Sequence, residues 1–463
     1  MTGPSTDIGR DLVVFVDPQT TFKSAATDYP VAADALRVLT ASVNGKSPFA
    51  TFEDKRGTSS ELGIIDQKRT AEFSLECYAY LTARGTAPDW ADILTYGGWQ
   101  ETVGGGDATT ATGGTTTVIT TADTTNWTVG DAAIFETGLA TGAYEIRRIT
   151  DLSAMTSFTV SPALQNTPAS GANILSAIIY KPKDAKDTTP DSVTLWAFNN
   201  NSADRIVGAV SGSQSVSMGG DEAARMTVSG TGRQDNRMVQ TTLNHGGTLN
   251  TSDTTFTVTD GTALPADTSS SLPFYYQIDS EVFRVTGVSG NTVTVATRGS
   301  TGLGGGAATH ADGSQFYPYQ PSGTYAGTPI PATSGQLLVA GAVLQAGTVS
   351  VEIDQGIVYR ENVMGSTYVV DGYVGGKRNV TATMDGWSFY DSTMVRAMEA
   401  RARTSVSVHA QQGESEGAVF GIELPNFYME EPDMDRGADE VTIGLTGRAL
   451  GTSSEDEIYI MIG

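Results

Sequence analysis

Few residues in this chain have the types and spacing that could support chemistry. Gly413-Glu414-Ser415-Glu416-Gly417 fits the spacing of a nucleophile elbow, where a strained turn lifts a serine hydroxyl at the mouth of a sheet. An elbow needs a strand running into a helix and a His–acid pair. The flanking residues alternate instead, so the run reads as a polar hairpin turn between a strand at Val406 and one at residues 418–424. Gly302, Gly304 and Gly306 crowd one loop, but no helix follows to aim amides at a phosphate. His245, His310 and His409 lie far apart with no ligands at metal spacing, which argues against zinc or iron. Asp433, Asp435, Asp439 and Glu440 around Gly437 offer hard oxygens to Ca²⁺, but not at EF-hand spacing, so they read as a hydrated acidic loop. Phe274-Tyr275-Tyr276 and Phe316-Tyr317-Pro318-Tyr319 have the rings of a sugar platform, yet strand aromatics more commonly fill a core. Cys77 is the lone cysteine and sits in an alternating apolar run, so it reads as a buried filler. No catalytic residue, cofactor or metal is expected.

The elements that would position these groups are strands. The chain has 463 residues, enough for several domains at about 150 residues each. Thr, Ser, Gly and Val abound while apolar residues make up 39%, which favours small two-sided sheets joined by turns. The class is mainly β. The formal charge of −24 makes contact with nucleic acid repulsive rather than counterion-releasing. Met1 to Arg10 is polar with no signal core, and no run approaches the roughly 20 apolar residues of a membrane span.

The chain repeats itself. Lys68-Arg69-Thr70-Ala71-Glu72-Phe73-Ser74-Leu75-Glu76-Cys77-Tyr78 aligns without gaps with Lys377-Arg378-Asn379-Val380-Thr381-Ala382-Thr383-Met384-Asp385-Gly386-Trp387. Alternation puts Phe73, Leu75 and Cys77, like Ala382, Met384 and Gly386, on one face, with Glu76 and Asp385 matched on the other. A short helix should follow each: one over residues 88–94, and one from Asp391 to Arg403, capped by Asp391 or Ser392, with Met394, Val395 and Met398 as its apolar stripe on the sheet. Ser192-Val193-Thr194-Leu195 then matches Ser405-Val406-Ser407-Val408. Finally, Met226 to Arg233 matches Val441 to Arg448, both ending in Thr-Gly-Arg. Three blocks in one order indicate duplication.

Two segments fall outside the repeat, near residues 104–185 and 248–322, and both read as strand-and-turn surface decorations whose removal should leave the rest intact. The division expected is therefore a first repeat domain at 1–103 plus 186–240, an inserted β-domain at 104–185, a small β-module at 241–325 and a second repeat domain at 326–463.

The duplicated unit of strand, short helix and strands resembles the tail tube proteins of long, non-contractile-tailed phages over roughly residues 30–100, 190–236 and 335–463. The middle segment, from Phe256-Thr257-Val258 through Ile278-Asp279-Ser280-Glu281-Val282-Phe283-Arg284-Val285 to Arg298-Gly299-Ser300-Thr301-Gly302 and His310, is similar to a small β-module of phage virion proteins. What the resemblance implies is a β-sandwich or partial barrel with a flanking helix, assembled in stacked rings of six units around a pore. Two units per chain would then make a homotrimeric, pseudo-hexameric ring, built in the host cytoplasm into the virion tail. Its partners would be other copies, tail terminator and tail tip proteins, and double-stranded DNA passed without tight binding, with no membrane involved. Glu76 and Asp385 are the candidate lumen-lining residues. The competing readings are an accessory virion protein, such as a capsid decoration or a host-binding adhesin, and a polysaccharide-degrading enzyme, which lacks a recognisable acid pair.

Overall fold

The computed structural model describes residues 12–19, 29–51, 63–106, 108–137, 142–153, 156–183, 191–220, 222–265, 274–299, 303–359, 364–365, 372–374, 376–387, 390–435, 442–452 and 455–463. The first repeat opens with β1 (Val13–Gln19), β2 (Ala35–Leu36), β3 (Thr40–Lys46), a hairpin of β4 (Phe49–Thr51) and β5 (Ile64–Asp66), β6 (Thr70–Tyr78), β7 (Tyr80–Leu81), α1 (Ala91–Thr95) and β8 (Trp99–Val103). The insertion carries β9 (Thr109–Gly114), β10 (Val118–Thr121), β11 (Ala132–Glu136), β12 (Tyr144–Ser153), β13 (Ser157–Ser161) and β14 (Asn173–Pro182). The first repeat resumes with β15 (Ser192–Asn199), β16 (Ser202–Gly219), β17 (Arg225–Gly232) and β18 (Gln234–Val239). Next come β19 (Thr241–Thr242), β20 (Thr255–Thr257), β21 (Phe274–Ile278), β22 (Glu281–Ser289), β23 (Thr292–Val295) and β24 (Gln315–Pro318). The second repeat has β25 (Thr328–Pro329), β26 (Gly335–Val339), β27 (Ala342–Leu344), β28 (Ala346–Asp354), a hairpin of β29 (Ile357–Tyr359) and β30 (Gly372–Val374), and β31 (Asn379–Trp387). It ends with α2 (Tyr390–Ala402), β32 (Val406–Ser415), β33 (Ala418–Met429), β34 (Asp433–Asp435), β35 (Thr442–Ala449) and β36 (Tyr459–Ile462). The protein is mainly β, its sheets include a half-barrel, and its described α-helices are α1 and α2. No helix among the described residues is long and apolar enough to cross a membrane.

Strand pairing shows the duplication directly. In the first repeat the ladder runs β1-β15-β16-β17-β6-β3, with β2 on β1 and β18 on β16. In the second it runs β26-β32-β33-β35-β31-β28, with β27 on β26 and β36 on β33. Both repeats bulge at the same point, between Val193 and Leu195 and between Val406 and Val408. These registers align Leu36, Thr40, Ser42 and Val43 with Leu344, Thr348, Ser350 and Val351, a block that the sequence comparison passes over.

They also correct the last matched block by two residues. Thr227 lies opposite Glu76, and Gly444 lies opposite Asp385, so Gly230 corresponds to Gly447 and the two Thr-Gly-Arg triplets are not equivalent. A shift of two keeps every side chain on its face, so alternation cannot detect it. Close packing does: a Cβ on Gly230 would collide with the Val210 carbonyl oxygen, and one on Gly447 with that of Tyr428, its counterpart.

Each repeat is a sandwich. The long strand β16 pairs with β15 and β18 through its first half and with β17 and β28 through its second, so it crosses from the outer sheet to the inner one. Phe73, Leu75, Cys77, Ala382 and Met384 face Val193, Leu195, Val408 and Phe420 in a single core that runs through both repeats. α1 seals it with Trp90, Ile93 and Leu94. α2 departs from expectation. It starts at Tyr390, so Asp391 and Ser392 lie inside its first turn. Val395 and Met398 point outward, 45% and 67% exposed, while Arg396 and Ala400 turn in. The side chain of Met394 lies outside those described. A face of Arg396, bridged to Glu399 at 2.6 Å, and Ala400 meets the sheet instead.

Candidate assembly surface

The pairing β16–β28 joins the repeats. Ser213 to Gly219 lie antiparallel to Asp354 to Thr348, so the inner sheet continues through β3-β6-β17-β16-β28-β31-β35. One face of it is apolar and buried; the other is polar and open. The polar face carries Ser42, Ser74, Ser215, Thr383 and Thr446, with acids at Glu72, Glu76, Glu352 and Asp385. A 530 Å³ hollow in it is lined by Ser42, Asn44, Glu72, Ser213, Ser229 and Tyr359, among others.

Glu76 and Asp385 occupy equivalent positions in β6 and β31 on that face. Their surroundings differ. Glu76 is half-buried, meets Arg225 at 3.3 Å and accepts from the Thr40 hydroxyl at 3.2 Å. Asp385 is exposed. Glu72, two pleat repeats along β6 from Glu76, pairs with Lys46. The face is hydroxyl-rich and only mildly acidic, because part of its negative charge is locally matched.

The sheet ends on two edges. Among the described residues β3 pairs with β6 alone, and β34 with β35 alone. By ladder position β3 is the counterpart of β28, and β34 continues β33 as the counterpart of the second half of β16: Ser215 lies opposite Thr227 as Asp433 lies opposite Gly444. The chain thus ends its inner sheet on the same two kinds of edge that it joins internally.

Neither segment outside the repeat is a loose decoration. In the insertion the pairings run β9-β10-β13-β12-β11-β14 and back to β9, a closed barrel. The 241–325 segment runs β19-β24-β21-β22-β23-β20, and the Leu243–Val258 bridge closes it in the same order. Equivalent bulges fall at Ile149–Asp151 and Val285–Gly287. Glu145-Ile146-Arg147-Arg148-Ile149-Thr150 therefore matches Glu281-Val282-Phe283-Arg284-Val285-Thr286, a resemblance that punctuation alone only hints at. Both glutamates are buried and pin the loop before the last strand. Glu145 accepts from the Gln165 amide at 3.0 Å and from Arg147 at 2.6 Å. Glu281 accepts from the Ala308 amide at 2.9 Å and holds Arg298 with two bonds of 2.7 and 2.9 Å, with His310 Nε2 at 2.9 Å.

Each barrel docks on the outer sheet of one repeat at corresponding positions. On the first repeat, Trp196 and Phe198 join the core of the 241–325 barrel, and the Arg205 guanidinium stacks 4.1 Å over Phe274. On the second, His409 and Glu423 hold the corresponding places. Arg148 grips Glu423 with bonds of 2.9 and 3.0 Å, and Arg147 Nη1 lies 3.0 Å from His409 Nε2. Gln411 accepts from the Ile146 amide and donates to the Tyr144 carbonyl, each at 2.9 Å. Burial, with Arg147 beside it, holds the His409 imidazole well below its ordinary pKa, so the ring is neutral. Burial brings Arg147 down to about 10, leaving it charged at neutral pH.

The other singled-out residues have structural settings. Gly413 to Gly417 form the end of the β32–β33 hairpin, with Gly417 at φ 75°. His310 and His409 sit in different buried networks, and no cluster of metal-binding side chains is present among the described residues. Gly302, Gly437, Asp439 and Glu440 lie outside the described residues, and Asp433 and Asp435 belong to β34. Gly304 packs on Val282 and Ser280. Phe274, Tyr276 and Phe316 are buried. Burial pushes the Cys77 thiol pKa far up, and its Sγ faces the Met226 carbonyl at 3.7 Å.

No protein-family model matches the chain, and no curated protein is similar to it.

Proposed function

We propose that the protein is the structural subunit of a phage tail tube, three chains closing a ring and rings stacking around a DNA channel. The observation that supports this is the internal joint. One chain already performs the step from unit to unit, joining β16 to β28, and it leaves the matching edges open at β34 and β3. An exposed sheet edge is a template for another strand, and a head-to-tail contact repeated by one rotation closes a ring. Six units, hence three chains, close it when each step is a sixth of a turn. Transferred to the open edges, the register that sets Ser213 opposite Asp354 sets Glu431 opposite Lys46, an oppositely charged pair.

The layering supports the same reading. The polar inner face, the shared core, the outer sheet and the barrels follow in that order, so a ring lined by the inner face carries both barrels outside. A wall of hydroxyls with some acids gives DNA water to slide on and few cations to release counterions against. The tube would then meet a tail terminator at one end and tip proteins at the other, within the virion.

Electron micrographs of the purified protein test this. Hollow filaments or rings are the expected result; single globular particles under every assembly condition would favour the accessory virion reading.

A further inference from the structure

The two repeats differ at one matched element, and that difference points to a second contact between chains. The hairpins β4–β5 and β29–β30 are equivalent: each leaves the inner-sheet strand before it, and Phe49 pairs with Asp66 as Ile357 pairs with Val374. The second-repeat hairpin has a seat. Its Ile357 and Tyr359 line the hollow in the polar face of the first repeat, and the Tyr359 hydroxyl donates to the carbonyls of Val210 and Thr231 at 3.3 and 3.1 Å. Among the described residues the first-repeat hairpin has none in its own chain. Phe49 and Ile64 share one face of this two-stranded ribbon and stand 61% and 60% exposed, while Ile65 stands 50% exposed on its other face. Water contact on that scale is unfavourable at about 25 cal/mol per Å² of apolar surface.

We propose that β4–β5 is a hook that seats on the second repeat of the neighbouring chain, as β29–β30 seats on the first repeat of its own. This rests on the ring reading, since the step from repeat to repeat must also be the step from chain to chain. The ladder positions name the seat: Val210 and Thr231 correspond to Tyr428 and Arg448. Tyr428 is 37% exposed and Arg448 is exposed, with Glu352, Thr383 and Thr446 on the open polar face beside them. Thr51 stands where Tyr359 stands and is too short to reach the carbonyls, so the ring of Phe49 and the branches of Ile64, on the same face as Thr51, carry this contact against the Tyr428 ring and the Arg448 stem.

Two measurements test it. Phe49→Asp with Ile64→Asp should cut the assembled fraction at least tenfold at a concentration where the parent is mostly assembled. Its thermal midpoint as a single chain should stay unchanged, because both side chains are already exposed. Separately, Thr51→Cys with Arg448→Cys, treated with a short bis-maleimide after assembly, should link neighbouring chains covalently. If rings form and a Lys46→Cys, Glu431→Cys pair links their chains, yet the hook pair does not link and the Asp variant assembles like the parent, the hook is wrong and the ring stands. If the parent forms no rings, both fall.

Discussion

Glu423→Ala should lower the stability of the chain by about 3–5 kcal/mol, the usual effect of stripping one partner from a buried ion pair. Glu423 is fully buried in β33, and Arg148 reaches it from the inserted barrel with two bonds. Burial pushes the Glu423 carboxyl pKa up, against the pull of Arg148 and Arg147, so the charge is held there at a cost that only these partners offset. Without the carboxylate, two guanidiniums face a dry interface lined by Val419, Met461, Ile134 and Ile146. Arg148→Met with Glu423→Leu should recover most of the loss, because apolar side chains of similar size suit that interface. Denaturant titration of the three proteins checks this; a single-variant loss under about 1 kcal/mol would show that the barrel is only loosely held. The same contacts give a deletion of residues 104–185 a cost in stability that the expectation of an intact tube after such a deletion does not include. Deleting them would bare the outer face of the second repeat, with the apolar Val419 and Met461 and a Glu423 stripped of Arg148, and removing 248–322 would bare Trp196 and Phe198.

Charge reversal on the polar face should act on conduction, not folding. Glu76→Lys with Asp385→Lys places two cations per chain on the wall proposed to line the channel, at matched positions, hence an evenly spaced set in each ring. Folding should tolerate them: Asp385 is exposed, and the half-buried Glu76–Arg225 pair is worth at most about 1 kcal/mol. DNA should not. Each phosphate contact adds affinity that falls with salt at a log–log slope of about 0.9 per contact, and stacked rings multiply the contacts. Genome ejection should slow at least tenfold at low salt and recover as screening rises. Normal ejection at low salt from particles built of the double variant would remove both residues from the lumen.

Much of the fold is legible in the sequence because it is written in alternation. Phe73, Leu75 and Cys77 against Glu72 and Glu76 read as one wet face and one dry face, and the inner sheet is built that way. What alternation cannot resolve is a shift by an even number of residues, which is why the Thr-Gly-Arg triplets align plausibly but wrongly; only the close approach of Gly230 and Gly447 to backbone carbonyls fixes that register. The outward turn of Val395 and Met398 was equally hidden, since an apolar stripe marks a helix face without saying what meets it. The twin barrels were within reach through Glu145 to Thr150 and Glu281 to Thr286. Their docking was not, because Arg148 and Glu423 lie 275 positions apart and nothing local in either announces the other.

The most direct test of the central claim is the open edge itself. Lys46→Cys with Glu431→Cys in one chain places thiols where transfer of the β16–β28 register brings neighbouring chains together, and the only other cysteine, Cys77, is buried. Oxidised after assembly and run under denaturing, non-reducing conditions, the protein should give a ladder that ends at a covalently closed trimer. A ladder running on to six chains, or no bond between chains in intact rings, would contradict the account.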